Sequence, residues 1–345
     1  SENFDLAYCG SGTIDYAGSV RHNALFDMAP YIDEYMPGLK ASFTEGFLEN
    51  AYVDGKLGGI PVNKEIGGQM SWYYRKDIAD KYGIDMTKYK TLKDIEPVLE
   101  MIKKNEPSIE YPIDWDKSMN AQNTLSYVMP AIDCVIYLDD GVPRKEVKLF
   151  PETPEFQEIC YDAYRFYQKG LVKKDVLSAN DTAERFKNGQ TFCIIRQAKP
   201  GGIQEAFGDA KYPVASAPFA VVTQNGAKDA IIGLSVSSAN PFRTMRFLEL
   251  LYTDPKLSNL VVYGIEGQHY KKVGPDTVEV LEGAKYSLAQ TQWMMGNVFL
   301  NYLTVKDIPD KKEQYLEFNK QAVPNKAQGF YPKLEGSLEQ KRIAV

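Results

Sequence analysis

Histidine is nearly missing from this chain. Its 345 residues contain two, His22 and His269, which leaves almost no supply for a histidine metal cluster or a Ser-His-Asp triad. Cysteine is scarce too. Cys9, Cys134, Cys160 and Cys193 form no C-x-x-C pair and stand too far apart for a dense disulfide framework. They are read as four buried thiols. No apolar run reaches the length of a membrane span. Positive charge is not in excess: 40 Lys and Arg face 46 Asp and Glu, for a net charge of −6. A nucleic-acid binder would need a basic face, so nucleic acid is not expected as a partner. Three tryptophans are outnumbered by 23 tyrosines. Tyrosine in that number serves either a core or a site that stacks on polar ligands and hydrogen-bonds to them.

What is present suits an α/β protein of two lobes, each with a core of its own. Residues 4–9 are apolar enough for a buried strand of a parallel sheet. Gly10-Ser11-Gly12-Thr13 and Tyr16 follow at once. Ligands in open α/β folds sit beyond the carboxyl ends of strands, so 10–16 is the first candidate site. The turn lacks the third glycine of G-x-G-x-x-G and any Gly-Lys-Ser/Thr, which weighs against a nucleotide loop. A parallel sheet would not begin at residue 3, so a preceding segment is expected.

Further along, Asp54-Gly55 marks a hairpin turn. Residues 69–75 and 191–195 read as strands, the latter stopping at Arg196-Gln197. A helix over 76–81 ends at Gly83, and Thr91-x-x-Asp94 opens another to about Lys104. Residues 112–117 read as a loop. Residues 155–169 read as an amphipathic helix with Ile159, Ala163, Phe166 and Tyr167 inward. Residues 231–236 form an apolar strand. Asn240-Pro241 starts a helix that turns Phe242, Met245, Leu248 and Tyr252 inward. From Gln292 the tail reads as helices with Trp293, Phe299, Tyr302, Tyr315 and Phe318 on their faces.

Several of these stretches carry a resemblance. Tyr52-Val53-Asp54-Gly55-Lys56-Leu57-Gly58-Gly59-Ile60-Pro61 and Tyr73-Tyr74-Arg75-Lys76-Asp77-Ile78-Ala79-Asp80-Lys81-Tyr82-Gly83 resemble the extracellular solute-binding proteins of ABC-type sugar importers. These are the family-1, maltose-binding-protein-like group. Residues 183–192, with an F-x-x-G step at Phe186–Gly189, and Ser237-Ser238-Ala239-Asn240-Pro241 before Phe247-Leu248 agree. Tyr263-Gly264-Ile265-Glu266-Gly267-Gln268-His269-Tyr270 and Trp293-Met294-Met295-Gly296-Asn297 are similar to the Gram-positive lipoprotein branch. The pieces span nearly the whole chain in the family's order. Against that family, both ends are expected to be incomplete. The lipid-attachment cysteine and the first strand and helix have no counterpart here, and the C-terminal helical region stops early.

The resemblance implies a two-lobed periplasmic-binding-protein-like (type II) fold with a hinge and an interlobe cleft. It places lobe one at 1–62 and 236–285, lobe two at 68–230 and 286–345, and the hinge crossovers at 61–67 and 230–236. Ser11, Thr13 and Tyr16 fall where such proteins put lobe-one contacts, hydroxyls for sugar hydroxyls and a ring for stacking; the alternative is a plain strand-to-helix turn with Thr13 or Asp15 as cap. Lys64 and Glu65 are either a solvated ion pair or a charge-assisted contact to a sugar. Asp114-Trp115-Asp116 matches a lobe-two loop in which an aromatic face meets the ring and acids orient it. It is not a calcium loop, lacking the glycine and distal glutamate. Arg196 and Gln197, at a strand's carboxyl end, are a ligand clamp or a surface ion pair. Trp293 is a stacking floor or core. No acid–base pair is marked out. The reading is therefore a binder, not an enzyme, with no cofactor or metal. It captures an oligosaccharide, closes its cleft and docks to an ABC transporter membrane permease. It would act outside the cell or in the periplasm, touching the membrane only through a lipid anchor absent from these residues. The alternatives are a polysaccharide-degrading glycosidase and a surface lipoprotein for adhesion or sensing.

Overall fold

The computed structural model describes residues 3–10, 14–114, 127–131, 134–139, 142–144, 146–175, 181–323 and 328–331. The chain forms two units. The first comprises Ser1–Ile66 and Asn225–Glu313, joined again by residues 328–331. The second comprises Gly67–Gln224 with residues 314–323.

In the first unit the strand Ile231–Leu234 is buried along its whole length and lies between Leu6–Tyr8 and Gly59–Pro61. Both neighbours run antiparallel to it, Tyr8 opposite Ile232 and Pro61 opposite Ile231. The parallel sheet expected around residues 4–9 is thus an antiparallel one, with Leu6–Tyr8 half-buried at its edge. The Asp54-Gly55 turn forms as expected. Both residues take positive φ, 50° and 81°, and Val53 and Lys56 exchange backbone bonds of 2.9 Å across it, the geometry of a primed turn. Asn240 caps the helix Pro241–Thr253 by accepting from the Arg243 amide at 3.0 Å. That helix buries Met245, Leu248, Leu251 and Tyr252. Phe242 does not turn inward; it is exposed and packs with Phe26, Tyr31 and Tyr35 in a surface aromatic group.

In the second unit the nine-residue strand Gly67–Arg75 is central. It pairs antiparallel with Val214–Pro218 on one side and Thr191–Ala198 on the other, and the latter pairs parallel with Tyr111–Asp114. Alternation along the strand supplies both faces. Trp72, opposite Ala217 and Ile195, faces a core with the helix residues Ile95, Leu99 and Phe166. Tyr73, opposite Ile194, faces Phe186 and Phe207. The Thr91–Asp94 capping box forms at the start of Leu92–Asn105, and Gly83 ends Lys76–Tyr82 at φ 63°. Of the loop expected at 112–117, residues 112–114 belong to the strand Tyr111–Asp114 because the parallel ladder to 191–194 pairs it, and 115–117 lie outside the described residues.

Other expectations change. Tyr167 and Cys160 point outward from the helix Pro154–Gln168; Cys9 and Cys193 are buried, and the Cys134 side chain lies outside the described set. Among the described residues from Gln292 on there is one α-helix, Lys311–Gln321; Gln292–Met294 and Val298–Leu300 are single 3-10 turns and Leu303–Thr304 is a strand. The crossover expected at 230–236 is the central strand of the first unit. The chain passes between units after Ile66, after Gln224 and after Glu313, and residues 328–331 again belong to the first unit. Residues 286–313, assigned to lobe two by resemblance, fold with the first unit because hydrogen bonds to buried polar groups tether them. Asn259 Nδ2 donates to Leu300 O at 3.0 Å, Ser258 Oγ to Asn301 Oδ1 at 2.7 Å, and the Tyr263 hydroxyl to Tyr302 O at 2.6 Å.

The capping box gives a direct check of this local reading. Thr91→Ala removes the side-chain acceptor of the Asp94 amide and is expected to cost about 1 kcal/mol of stability, read as a lower urea midpoint at unchanged slope. An unchanged midpoint would show the cap to be idle.

Candidate functional site

The sheet of the first unit gathers one group of residues at one end. Tyr8 leaves the edge strand there, Pro61 leaves the opposite strand there, and Ile231 enters the central strand there. Cys9 N donates to Ile231 O and Val62 N to Ala230 O, each at 2.8 Å, so the register persists past the strand ends. Asn63 then captures a distant segment. Its amide donates to Gly296 O at 3.0 Å and its carbonyl accepts from Val298 N at 2.8 Å. The adjoining Gln292–Met294 turn is braced from inside. Asn301, 1% exposed, donates to Gln292 Oε1 at 2.9 Å while its own Oδ1 accepts from Ser258.

On that braced turn Trp293 stands 41% exposed. Its ring meets the ring of Tyr8 at a centroid distance of 6.0 Å and an angle of 88°. The Tyr8 hydroxyl donates to Asp229 O at 3.1 Å, and burial together with the nearby Asp229 carboxylate pushes its phenol up. Trp293 therefore has the exposure a stacking floor needs, on a surface fixed by backbone and amide bonds.

The other expected residues divide. Ser11, Thr13, Trp115 and Asp116 lie outside the described residues. Tyr16 is 3% exposed and does not present a stacking face. Its hydroxyl donates to Ala51 O at 2.7 Å and accepts from Gly59 N at 3.1 Å, tying the helix Tyr16–Arg21 to the sheet. The cap of that helix is Asp15, which accepts from Gly18 N. Lys64 and Glu65 do pair, at 3.5 Å, but as largely buried groups rather than a solvated pair, immediately before the first crossing.

Asp114 is 1% exposed at the end of its strand. Its Oδ2 accepts from Arg185 Nε at 2.8 Å and from Arg185 Nη2. Arg185 is buried on the helix Thr182–Lys187, and its Nη1 lies 3.4 Å from Asp181. Asp114 Oδ1 is buried with no hydrogen-bond partner. Burial raises the Asp114 carboxyl above its usual range, against the pull of Arg185. Asp114 thus spends its Oδ2 on Arg185 inside the second unit. Arg196 and Gln197 do not follow a strand; they lie within Thr191–Ala198, opposite Ser71 and Met70, and are exposed. Arg196 carries its guanidinium over the Phe207 ring at 5.5 Å.

Sequence reasoning passed over Arg185, Asn63 and Asn301. Their signals are weak: an arginine four residues after Asp181, and single asparagines at strand or turn ends. Among the described residues no group of three or more His, Cys, Asp or Glu could hold a metal, and no helix is long and apolar enough to cross a membrane.

No family model matches the chain. It is 25% identical over 331 residues to a carbohydrate ABC transporter substrate-binding protein of Streptococcus pneumoniae serotype 4, a match that covers 92% of this chain and 65% of that protein. The crystal structure of the N-glycan transport solute-binding protein NgtS from Streptococcus pneumoniae is similar at a TM-score of 0.80 and 22% identity, over 99% of this chain and 75% of that one. The same protein in complex with Man5GlcNAc is similar at a TM-score of 0.75 and 23% identity, over 99% and 75% of the two chains.

The buried pair makes its own prediction. Arg185→Met leaves Asp114 charged and unpaired and is expected to cost about 3–5 kcal/mol. Adding Asp114→Leu should recover most of that loss in urea denaturation; strictly additive losses would mean the two side chains do not act together. The chain has the two-lobed α/β fold of solute-binding proteins, and its sequence is similar to that of a carbohydrate ABC transporter substrate-binding protein, of whose length it spans 65%.

Proposed function

We propose that this protein binds an oligosaccharide and delivers it to the membrane permease of an ABC transporter. The observation that carries the reading is the similarity to a glycan-transport solute-binding protein, solved with and without its sugar, over 99% of this chain. The exposed Trp293 on its braced turn supports it, since an aromatic face matches the C–H face of a pyranose. The protein binds without turnover. Ligand binds, and the lobes close about crossovers near Ile66, Gln224 and Glu313. Closure follows from contacts that both lobes make to one sugar. Arg196, Gln197, Trp115 and Asp116 supply the second lobe's share, with Lys64 and Glu65 at the crossing. The protein works outside the cell, held to the membrane by a lipid anchor.

A glycan array followed by calorimetry tests the binding. Micromolar affinity for an oligosaccharide recovered intact is expected; a cleaved product would establish a glycosidase instead, and binding only to peptides or metals would remove the sugar reading. Solution scattering tests the motion. The radius of gyration should fall on saturation, and Arg196→Ala should weaken binding and remove much of that compaction. A profile unchanged by saturating ligand would refute capture by closure.

A further inference from the structure

Tyr8 and Gly10 have no role in the reading above, yet each is constrained. The Tyr8 ring folds back over Gly10. A Cβ placed on Gly10 would stand 2.0 Å from the Tyr8 hydroxyl oxygen and 2.2 Å from the adjoining ring carbon. Real side-chain carbons do not approach so closely, so residue 10 must lack a side chain for Tyr8 to lie where it does. Gly10 has no positive φ to account for it; the close approach does. The consequence is the perpendicular placement of Tyr8 against Trp293, within one unit of the protein.

Two aromatic rings at 88° make a corner. One face can take the apolar C–H side of a six-membered sugar ring while the other ring bounds that sugar's edge. The Tyr8 hydroxyl spends its proton on Asp229 O, which leaves its oxygen lone pairs to accept from a sugar hydroxyl. Among the described residues no cation stands over the Tyr8 or Trp293 ring. Asp229 brings negative charge near Tyr8, which disfavours a carboxylate-bearing ring.

We propose that Tyr8 and Trp293 form the two walls of a subsite for a neutral hexopyranose unit, with Gly10 kept bare so that Tyr8 can stand as the second wall. The proposal rests on the oligosaccharide reading and adds to it a named subsite, a second aromatic and a charge class. Because the atoms that meet a residue-10 side chain belong to the far end of Tyr8, Gly10→Ala moves the ring aside at little cost to the fold.

The test uses the full chain carrying 5-fluorotryptophan, with fluorine resonances assigned by Trp→Phe replacements. The probes are Man5GlcNAc, maltotetraose and an alginate tetrasaccharide, with affinities from calorimetry. The expected result is that a neutral probe binds and shifts the Trp293 resonance but not that of Trp72, which is 1% exposed. Tyr8→Ala and Gly10→Ala should each weaken that probe about tenfold at a similar unfolding midpoint, and Tyr8→Phe about threefold. Tyr8→Ala combined with Trp293→Ala should lose less than the product of the two single losses, since touching walls of one subsite are not independent. If a neutral probe binds while Trp293 stays silent and Tyr8→Ala and Gly10→Ala remain within twofold, the subsite is wrong and the oligosaccharide reading stands. If only the alginate probe binds, the neutral class is wrong. If no probe binds the parent protein, the subsite and the reading beneath it fall together.

Discussion

The first unit depends on the pairing of Ile231–Leu234 along both of its edges. A four-residue strand buried on every side can satisfy its amides and carbonyls only through its neighbours. Those neighbours come from residues 6–8 and 59–61, far away in sequence. Once the ladder forms, Tyr8, Val62, Asn63 and Asp229 share one end of the sheet. The backbone bonds of Asn63 then fasten 296–298 to that end, and the Gln292–Met294 turn presents Trp293 beside Tyr8. The aromatic corner is therefore a product of strand pairing before it is a product of side-chain chemistry.

Polar groups inside both units act as braces. Asn301 links Ser258 to Gln292, Asn259 fixes Leu300, and Tyr252 donates from the helix Pro241–Thr253 to Pro61 O at 2.7 Å. In the second unit Arg185 does the same for Asp114. Each group would be costly to leave unpaired in the interior, so each restricts its segment to a few geometries. A binding surface gains from that restriction, because less ordering remains to be done when ligand arrives.

The same braces explain why residues of apt chemistry left the candidate set. Tyr16 and Asp114 have the groups that recognise sugars, and their neighbourhoods in sequence fit the resemblance. Both spend those groups inside the protein, on Ala51 and Gly59 in one case and on Arg185 in the other. Trp293 and Arg196 keep theirs at the surface. Trp293 had the weaker local case, lying in a stretch that reads as a helix face.

The sequence by itself determined the local elements whose signals act over a few residues. The Asp54-Gly55 turn, the Thr91–Asp94 box, the Gly83 stop and the Asn240 cap all form where their chemistry places them, because each closes a hydrogen bond within three or four positions. The order of motifs also carried the solute-binding fold. Only the tertiary structure decided that the first sheet is antiparallel, that residues 111–114 are a strand, and that 286–313 belong to the first unit. These turn on partners about 80 to 230 residues away in the sheets and roughly forty in the tail, and no local pattern names such a partner. Burial of a tyrosine or aspartate is likewise a property of what packs against it. The sequence could supply the candidates, and the fold alone could separate the braces from the surface.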